Sequence, residues 1–134
     1  IFLCLFALFC YSYSAEYYDT ITNFTIIKVR DGDTFVINIE NVPDVFGKEI
    51  AVRIRGIDTP ELNDSREEIR KISIQAKEEL EKLLLNGKNI ILYNLGRDKY
   101  FRLLASVKVD DVDVAEYMIK KGLAKEYDGG KKVW

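Results

Sequence analysis

The ten residues from 52 to 61 constrain the fold more than any other part of the sequence. They begin with alternating Val-Arg-Ile-Arg and end with Asp-Thr-Pro-Glu. β-Branched residues favour a strand, whereas proline fixes its own φ and keeps the residue before it out of helix. The stretch therefore predicts a strand that stops abruptly. It carries Arg53 and Arg55, and two carboxylates, Asp58 and Glu61, follow at its end.

This cluster of opposite charges has two interpretations. In isolation, a salt-bridged strand end would be the commoner outcome. The sequence, however, contains a second acidic turn, Asp-Gly-Asp-Thr at 31–34, and a further basic block at 98–102 that includes Arg102. Carboxylates for a divalent cation, a further acid, and arginines for phosphate are the groups that metal-assisted phosphodiester cleavage requires. We therefore interpret the three blocks as one candidate site.

The three blocks, in this order, resemble the staphylococcal nuclease (thermonuclease) family. The resemblance runs from about residue 29 to residue 124. Asp-Thr-Pro-Glu alone is a weak signal, whereas the combination is specific. Sequence pattern by itself predicts only a small α+β domain, mainly β. The resemblance implies a five-stranded OB-fold barrel, with a long helix between strands 3 and 4 and a short helix after strand 5.

The resemblance also implies a calcium site. Asp33 and Asp58 would bind Ca²⁺ through their carboxylates, and Thr59 would bind it through its main-chain oxygen. Asp31 matches a nearby acid that is not a direct ligand. For the turn that carries Asp31 and Asp33, a plain hairpin turn remains the alternative interpretation.

The remaining roles follow from the same resemblance. Glu61 is expected to act as general base, although a carboxylate is a weak base that needs a metal to acidify the water. Arg53 and Arg102 are expected to bind the scissile phosphate, for which a planar guanidinium is well suited. Lys99 and Tyr100 are expected to contact the neighbouring phosphate of the substrate.

Hydrophobic periodicity predicts the secondary structure. Strands are expected at 24–29, 34–39, 50–57, 89–93 and 103–109. A long helix is expected from a cap at Ser65 to a stop at Gly87, with an apolar stripe that packs in the core. Asp113 is expected to cap a short helix that ends at Gly122. The residues from 128 to 132 are expected to form a flexible polar segment.

Two departures from the family pattern concern the substrate. Phe101 stands where the best-known member of the family has glycine, and its ring is expected either to narrow the base pocket or to pack against the barrel. Tyr127 is slightly out of step with the stacking tyrosines of that member. Because stacking on an aromatic ring contributes about 1–3 kcal/mol per base, these positions bear on substrate affinity.

The composition excludes several classes of protein. With 134 residues there is room for one domain with a core. The 20 Lys and Arg residues are balanced by 22 Asp and Glu residues, so nucleic acid must be attracted by a local basic patch. Histidine is absent, which excludes zinc–histidine sites and nucleases with a histidine base.

The N-terminal segment is typical of a secretory signal. Residues 1–10 are apolar without a break, and small polar residues follow before the first charge at Glu16. We expect a boundary between a signal-like segment, 1–15, and the domain, 16–134, and hence a secreted or periplasmic location. A membrane anchor and a buried core strand are the alternatives. Cys4 and Cys10 both lie in this segment, so the domain contains no cysteine to form a disulfide.

The sequence thus predicts an exported, calcium-dependent nuclease that acts on DNA and RNA, with single strands preferred. The alternative is a catalytically degenerate OB-fold module that binds nucleic acid or protein. The joint presence of all five charged residues of the expected site argues against that alternative. These residues are Asp33, Arg53, Asp58, Glu61 and Arg102. A membrane-anchored or lipid-anchored structural domain is a third hypothesis, which rests on the N-terminal segment alone.

Overall fold

The computed structural model describes residues 19–134, in which strands predominate over helices. In chain order the elements are β1 Phe24–Asp31, β2 Thr34–Ile39, α1 Asp44–Gly47, β3 Ile50–Ile54, β4 Ile57–Asp58, α2 Glu67–Asn86, β5 Ile90–Arg97, β6 Leu103–Val109, β7 Val112–Asp113, α3 Val114–Lys120 and β8 Lys125–Glu126. The expected cleavage boundary at residue 15, and the N-terminal segment with it, lie outside the described residues.

The main sheet has six strands: five lie in the order β1-β2-β3-β6-β5, and the short β7 pairs with β6 off this path. Neighbours are antiparallel except β3 and β6, which are parallel. Just before β1, Ile21 forms an isolated bridge to Leu92 of β5, with hydrogen bonds of 2.9 and 3.0 Å. Among the described residues this bridge is the only pairing between the two edges. The α+β class with an OB-like arrangement is therefore confirmed, while a closed barrel is not shown.

The predicted third strand was too long. It ends at Ile54, because Gly56 adopts a positive φ of 80° and turns the chain. The next two residues leave the main sheet and form β4, which pairs with β8: Asp58 lies opposite Lys125. This break brings Asp58 next to the end of the sequence, which the strand pattern did not predict.

The long helix packs its predicted stripe against the sheet, with Ala76, Leu80 and Leu84 buried in the core. Its predicted cap was wrong, because Arg66 is the N-cap residue and makes no side-chain capping bond. Gly87 ends the helix with a φ of −71°, which any residue can adopt. Glycine is needed there for space, since a Cβ atom would lie 2.4 Å from Cγ1 of Val109.

The short helix α3 begins as predicted. The side chain of Asp113 accepts a hydrogen bond of 2.9 Å from the main-chain N–H of Glu116. Gly122 follows the helix with a φ of 71°. No helix within residues 19–134 has the length and apolar character needed to cross a membrane.

Candidate active site

A cleft of about 900 Å³ opens where the β1–β2 turn, the end of β3 and the β5–β6 turn meet. Most residues of the predicted site line this cleft: Asp33, Arg53, Thr59, Glu61, Lys99, Tyr100 and Arg102. The eighth, Asp58, is buried directly behind it, bonded to Arg53. The structure therefore brings all eight predicted residues to one place, although they come from three separate sequence blocks.

The two acidic blocks are joined by Asp33 and Thr59. Oδ2 of Asp33 accepts hydrogen bonds from the main-chain N–H of Thr59 at 3.0 Å and from its hydroxyl at 3.1 Å. Oδ1 accepts a hydrogen bond from the Thr34 hydroxyl at 2.9 Å. Gly32 allows this approach, because a Cβ atom there would lie 2.5 Å from Cβ of Ala76 and 2.9 Å from Cγ2 of Thr59. The glycine thus lets the turn press between α2 and Thr59.

Arg53 lies between the two buried carboxylates. Its NH2 nitrogen is 3.3 Å from Oδ2 of Asp33 and 3.4 Å from Oδ1 of Asp58. Its NH1 nitrogen donates to the carbonyl oxygen of Ile54 at 2.8 Å. One cation therefore faces two anions inside the protein, so the salt-bridge interpretation holds for Arg53 but leaves a negative charge uncompensated by that arginine.

Asp58 carries an unsatisfied oxygen. Its Oδ2 atom is buried and has no hydrogen-bond partner within residues 19–134. Burial raises the pKa of Asp58 above its ordinary value, and the hydrogen bond and charge of Lys132 oppose that rise. A buried acceptor without a donor is costly unless a cation or water approaches it.

The donor chemistry fits a hard divalent cation. Asp58 Oδ2 is free to accept, and Asp33 Oδ1 has a single donor, so both carboxylates retain capacity for a ligand. The described part of the chain has no group of three or more acidic, histidine or cysteine side chains arranged around a metal position. A main-chain oxygen, such as that of Thr59, and water would have to complete the coordination, which calcium accepts.

Asp31 is not one of the two carboxylates proposed to bind the cation, but it lies beside Asp33 and interacts with its charge. Its Oδ1 atom accepts a hydrogen bond of 3.1 Å from the main-chain N–H of Asp33. Burial, together with the neighbouring charge of Asp33, raises the pKa of Asp31 to about 6.

Glu61 faces a partner that the sequence analysis missed. Its Oε1 atom is 3.0 Å from Nζ of Lys132, which is also 3.2 Å from Oδ1 of Asp58. The expected flexible segment thus reaches the site. Trp134 also contacts it, because its indole N–H donates to the main-chain oxygen of Asp58 at 3.1 Å. Nothing in the local sequence around Lys131 and Lys132 indicated that either lysine would contact Glu61, 71 residues before Lys132.

Asp98 organises the basic block. Its Oδ2 atom accepts from Nε of Arg102 at 2.6 Å, and Oδ1 accepts from the main-chain N–H groups of Tyr100 at 2.8 Å and Arg102 at 3.0 Å. Burial alone would raise the pKa of Asp98, but the hydrogen bonds from Arg102 outweigh it and hold that pKa below its ordinary value. Sequence analysis had assigned Asp98 no role of its own.

Aromatic rings flank this block. The Tyr100 ring is 68% exposed, with Nζ of Lys99 at 5.1 Å and Cζ of Arg102 at 5.4 Å from its centroid. Phe101 is 83% exposed and has a positive φ of 65°. It neither packs against the sheet nor lines the cleft, so both expectations for its ring were wrong.

Arg55 also lines the cleft. Its Nε atom donates to the main-chain oxygen of Asn94, whereas the sequence analysis had found no role for it near the site. Within residues 19–134 it makes no salt bridge.

The fold and the cleft define a class: a small OB-like α+β domain with a site of paired carboxylates and arginines suited to a cation and a phosphate. Comparison with known proteins gives the family. The family model described as "Staphylococcal nuclease homologue" matches residues 51–132. The chain therefore belongs to the staphylococcal nuclease homologue family, and the resemblance seen in the sequence is confirmed.

Three relatives illustrate the match. Endonuclease YncB of Bacillus subtilis is 36% identical over 107 residues, which cover 78% of this chain and 48% of the relative. A "Probable staphylococcal-like nuclease" of Oryza sativa subsp. japonica is 36% identical over 84 residues, covering 63% of this chain and 23% of the relative. A "Probable endonuclease" of Schizosaccharomyces pombe is 30% identical over 132 residues, covering 81% and 57%. The chain thus spans between about a quarter and somewhat over half of each of these relatives.

Proposed function

We propose that this protein is an exported, calcium-dependent nuclease that hydrolyses phosphodiester bonds in DNA and RNA. One observation carries the proposal: Asp33 lines a cleft together with a carboxylate, Glu61, and two arginines, and Asp58, with an unpartnered oxygen, is buried directly behind it. Nuclease activity is supported by the family and by relatives that are named endonucleases. Calcium, RNA cleavage and the mechanism rest on the site's chemistry and on the sequence resemblance.

Each side chain has a distinct task in this proposal. Asp33, Asp58 and the main-chain oxygen of Thr59 would hold calcium. The ion, when bound, supplies positive charge near the phosphate and makes water easier to deprotonate. Glu61 accepts the proton of the attacking water, because its carboxylate lines the cleft and is largely exposed to it.

The arginines differ in how freely they can reach a phosphate. Arg102 uses Nε to bind Asp98, and its terminal nitrogens make no hydrogen bond or salt bridge in the described part of the chain. Both terminal nitrogens can therefore bind two phosphate oxygens at once. Arg53 is already bonded to Ile54, Asp33 and Asp58, so it contributes mainly a fixed positive charge at the cleft wall.

The substrate class follows from the exposed rim. Lys99 and the exposed Tyr100 place a positive charge and an aromatic side chain next to each other. Flexible single strands can lay a phosphate on one and a base on the other, whereas a duplex keeps its bases stacked inward. We therefore propose single-stranded DNA and RNA as preferred substrates.

Export is proposed from the sequence alone. The apolar run at 1–10 and the small residues that follow are typical of a secretory signal. A secreted or periplasmic location would also supply the calcium that the proposed activity requires. Retention of this segment as a membrane anchor remains the alternative.

A nuclease assay tests the central proposal. Single- and double-stranded DNA and RNA are incubated with the protein in calcium, in magnesium or in excess chelator. We expect cleavage in calcium, with single strands cut faster, and none in chelator. Cleavage that continues unchanged in chelator, or the absence of cleavage with every metal, would overturn the proposed mechanism.

A second candidate function is a binding module without activity. One observation favours it: Lys132 bonds Glu61, the residue that must be free to act as base. In that case the protein would bind single-stranded nucleic acid but never cut it. Binding of the same substrates without cleavage in calcium would select this function.

A further inference from the structure

Lys132 places an ammonium group at the centre of the acidic site. Its Nζ atom is 3.2 Å from Oδ1 of Asp58 and 3.0 Å from Oε1 of Glu61. Thr59 and Pro60 separate these two acids in the sequence, and one cation joins the buried acid to the exposed one. The neighbouring Lys131 makes no ion pair within residues 19–134, which shows that contact with the site is particular to Lys132.

The segment that carries Lys132, residues 127–134, is attached to the site at both ends. At its start, the main-chain N–H of Tyr127 donates to the oxygen of Gly56 at 2.9 Å, directly after the β4–β8 pairing. At its end, the indole N–H of Trp134 donates to the main-chain oxygen of Asp58 at 3.1 Å.

A second lysine secures the same end of the segment. Nζ of Lys125 lies 4.4 Å from the centroid of the Trp134 ring and donates to the oxygen of Val133 at 2.7 Å. The position of Lys132 is therefore held by contacts on either side of it, unlike that of an ordinary surface lysine.

The charges explain why a cation is held there. Arg53 faces both Asp33 and Asp58, so a single positive charge serves two buried carboxylates. Lys132 adds the second positive charge, and it also pairs with Glu61. With both cations in place, the two buried acids face two positive charges without any metal ion.

Simultaneous binding of a divalent cation and Lys132 to the carboxylate of Asp58 is unfavourable. The oxygen left free for the ion, Oδ2, belongs to the same carboxylate whose Oδ1 is bonded to Lys132. Two positive groups on one carboxylate repel strongly at such short range, most of all at a buried site.

We propose that Lys132 is a tethered cation that competes with the divalent metal for Asp58 while it pairs with Glu61. Metal binding expels the Lys132 ammonium, and this also releases Glu61 from its ion pair. Segment 127–134 therefore sets the metal concentration at which the site fills and the base becomes free. The second consequence rests on the proposed nuclease function; the competition itself does not.

Calcium titration without substrate tests the competition. The affinities of wild type, Lys132→Gln and Lys131→Gln are compared by calorimetry at low salt. Both variants lose one positive charge from adjacent positions, so the control removes the general charge effect. We expect Lys132→Gln to bind calcium about tenfold or more tightly than Lys131→Gln, because it alone removes the competitor. Lys132→Arg keeps a cation at the same place and should bind like wild type.

Thermal unfolding gives a second readout. In chelator, Lys132→Gln should melt below wild type because two ion pairs are lost, and calcium should raise its melting temperature by more than it raises that of wild type. Trp134→Phe loosens the segment without changing its charge, and it should tighten calcium binding by a smaller factor. This variant keeps the test decisive if Lys132→Gln folds poorly.

The outcomes separate this inference from the proposed function. Equal calcium affinity for Lys132→Gln and Lys131→Gln overturns the competition, even if wild type cuts nucleic acid. Tighter binding by Lys132→Gln with no cleavage by any variant supports the competition and overturns the nuclease. Absence of calcium binding by every variant overturns both the competition and the calcium assignment.

Discussion

Asp33 and Thr59 are 26 residues apart in sequence, yet one carboxylate oxygen of Asp33 accepts both the main-chain and the hydroxyl hydrogen of Thr59. This pair locks the acidic turn onto the end of β4. Because Asp58 directly precedes Thr59, the same two bonds fix the spacing between Asp33 and Asp58, the two carboxylates among the proposed metal ligands. The geometry of the site thus depends on how closely the turn can approach.

Gly32 lets the 31–34 turn approach Thr59 and α2 closely, so Gly32→Ala should push the turn away from them. The added Cβ would lie 2.5 Å from Cβ of Ala76, and such overpacking typically costs about 1–3 kcal/mol. We expect a loss of stability in that range and weaker calcium binding, measured by urea unfolding and by calorimetry. In the double variant Gly32→Ala/Ala76→Gly the main clash is gone, so the combined loss should be smaller than the sum of the single losses. Strictly additive losses would contradict this explanation.

Glu61 is the proposed base, and Glu61→Gln preserves its shape while removing its charge. Positioned acid–base groups contribute about 10²–10⁴-fold to rate, so we expect kcat to fall within that range while single-stranded DNA is still bound. Glu67→Gln, an exposed acid in the first turn of α2, is the matched control and should retain full activity. A loss below about threefold at Glu61 would assign it a structural role only.

The elements that could be predicted from sequence are those with a local pattern. The apolar spacing of α2 and the alternation of β2 follow directly from the geometry of a helix and a strand, and both elements form where expected. The eight site residues could also be named in advance, because they lie in three short blocks. Their meeting in one cleft was implied by the family resemblance.

The features that could not be predicted depend on contacts between distant residues. The end of β3 is set by the positive φ of Gly56. This could not be predicted, because an isolated glycine in a strand pattern is compatible with either a turn or a bulge. Lys132 reaches Glu61 only because β8 pairs with β4. Gly87 was predicted as a helix stop, but the sequence did not show that its lack of a side chain makes room for Val109.

Phe101 has a positive φ, which is unfavourable for a non-glycine residue, and its exposed ring gains no stabilisation from burial. A left-handed conformation costs an L-residue about 1–2 kcal/mol, and the greater entropy of glycine in the unfolded chain offsets about 0.5–1 kcal/mol of that. We expect Phe101→Gly to leave stability unchanged or to raise it by up to about 1.5 kcal/mol. Phe46→Gly, at an exposed position in α1, should instead destabilise the protein. Urea unfolding of both variants makes the comparison, and a clear loss at Phe101 would show that its ring stabilises the fold.

Glu79 gives a pH-dependent contact between the two longer helices. It accepts hydrogen bonds from the Tyr117 hydroxyl and from Nζ of Lys121, and these lower its pKa, the Tyr117 bond most strongly. A lowered pKa in the folded state means that the contribution is fully present above the unfolded value, about 4.3, and is lost as pH falls through the folded value.

We therefore expect Glu79→Gln to destabilise the protein at pH 7 by about 0.5–1 kcal/mol, in keeping with a partly exposed ion pair. At pH 3 and below, the difference from wild type should shrink. Glu78→Gln, at an exposed neighbouring position, should have little effect at either pH. Urea unfolding at both pH values is the measurement. A Glu79→Gln deficit that is the same at pH 3 as at pH 7 would rule out the charge of Glu79 as its cause.

The final prediction concerns Asp98 and Arg102, because their pairing distinguishes an enzyme from a binding module. Asp98→Asn keeps the oxygen that accepts from the main-chain N–H groups of the turn, but it places an NH2 group against Nε of Arg102. If Arg102 clamps the transition state, a loosened guanidinium should lower kcat by about tenfold or more while KM changes little. Arg102→Lys, which lacks the two-pronged contact, should lower kcat by about 10²–10³-fold.

The control is Arg30→Lys, at an exposed position in β1 that does not line the cleft, which should behave like wild type. Turnover and binding of single-stranded DNA in calcium are measured for all three variants. In a binding module, the arginine would only hold phosphate, so Arg102→Lys would weaken binding modestly and in a salt-dependent way, and Asp98→Asn would do less. Equal and small effects at positions 98, 102 and 30 would therefore exclude the catalytic role of Arg102.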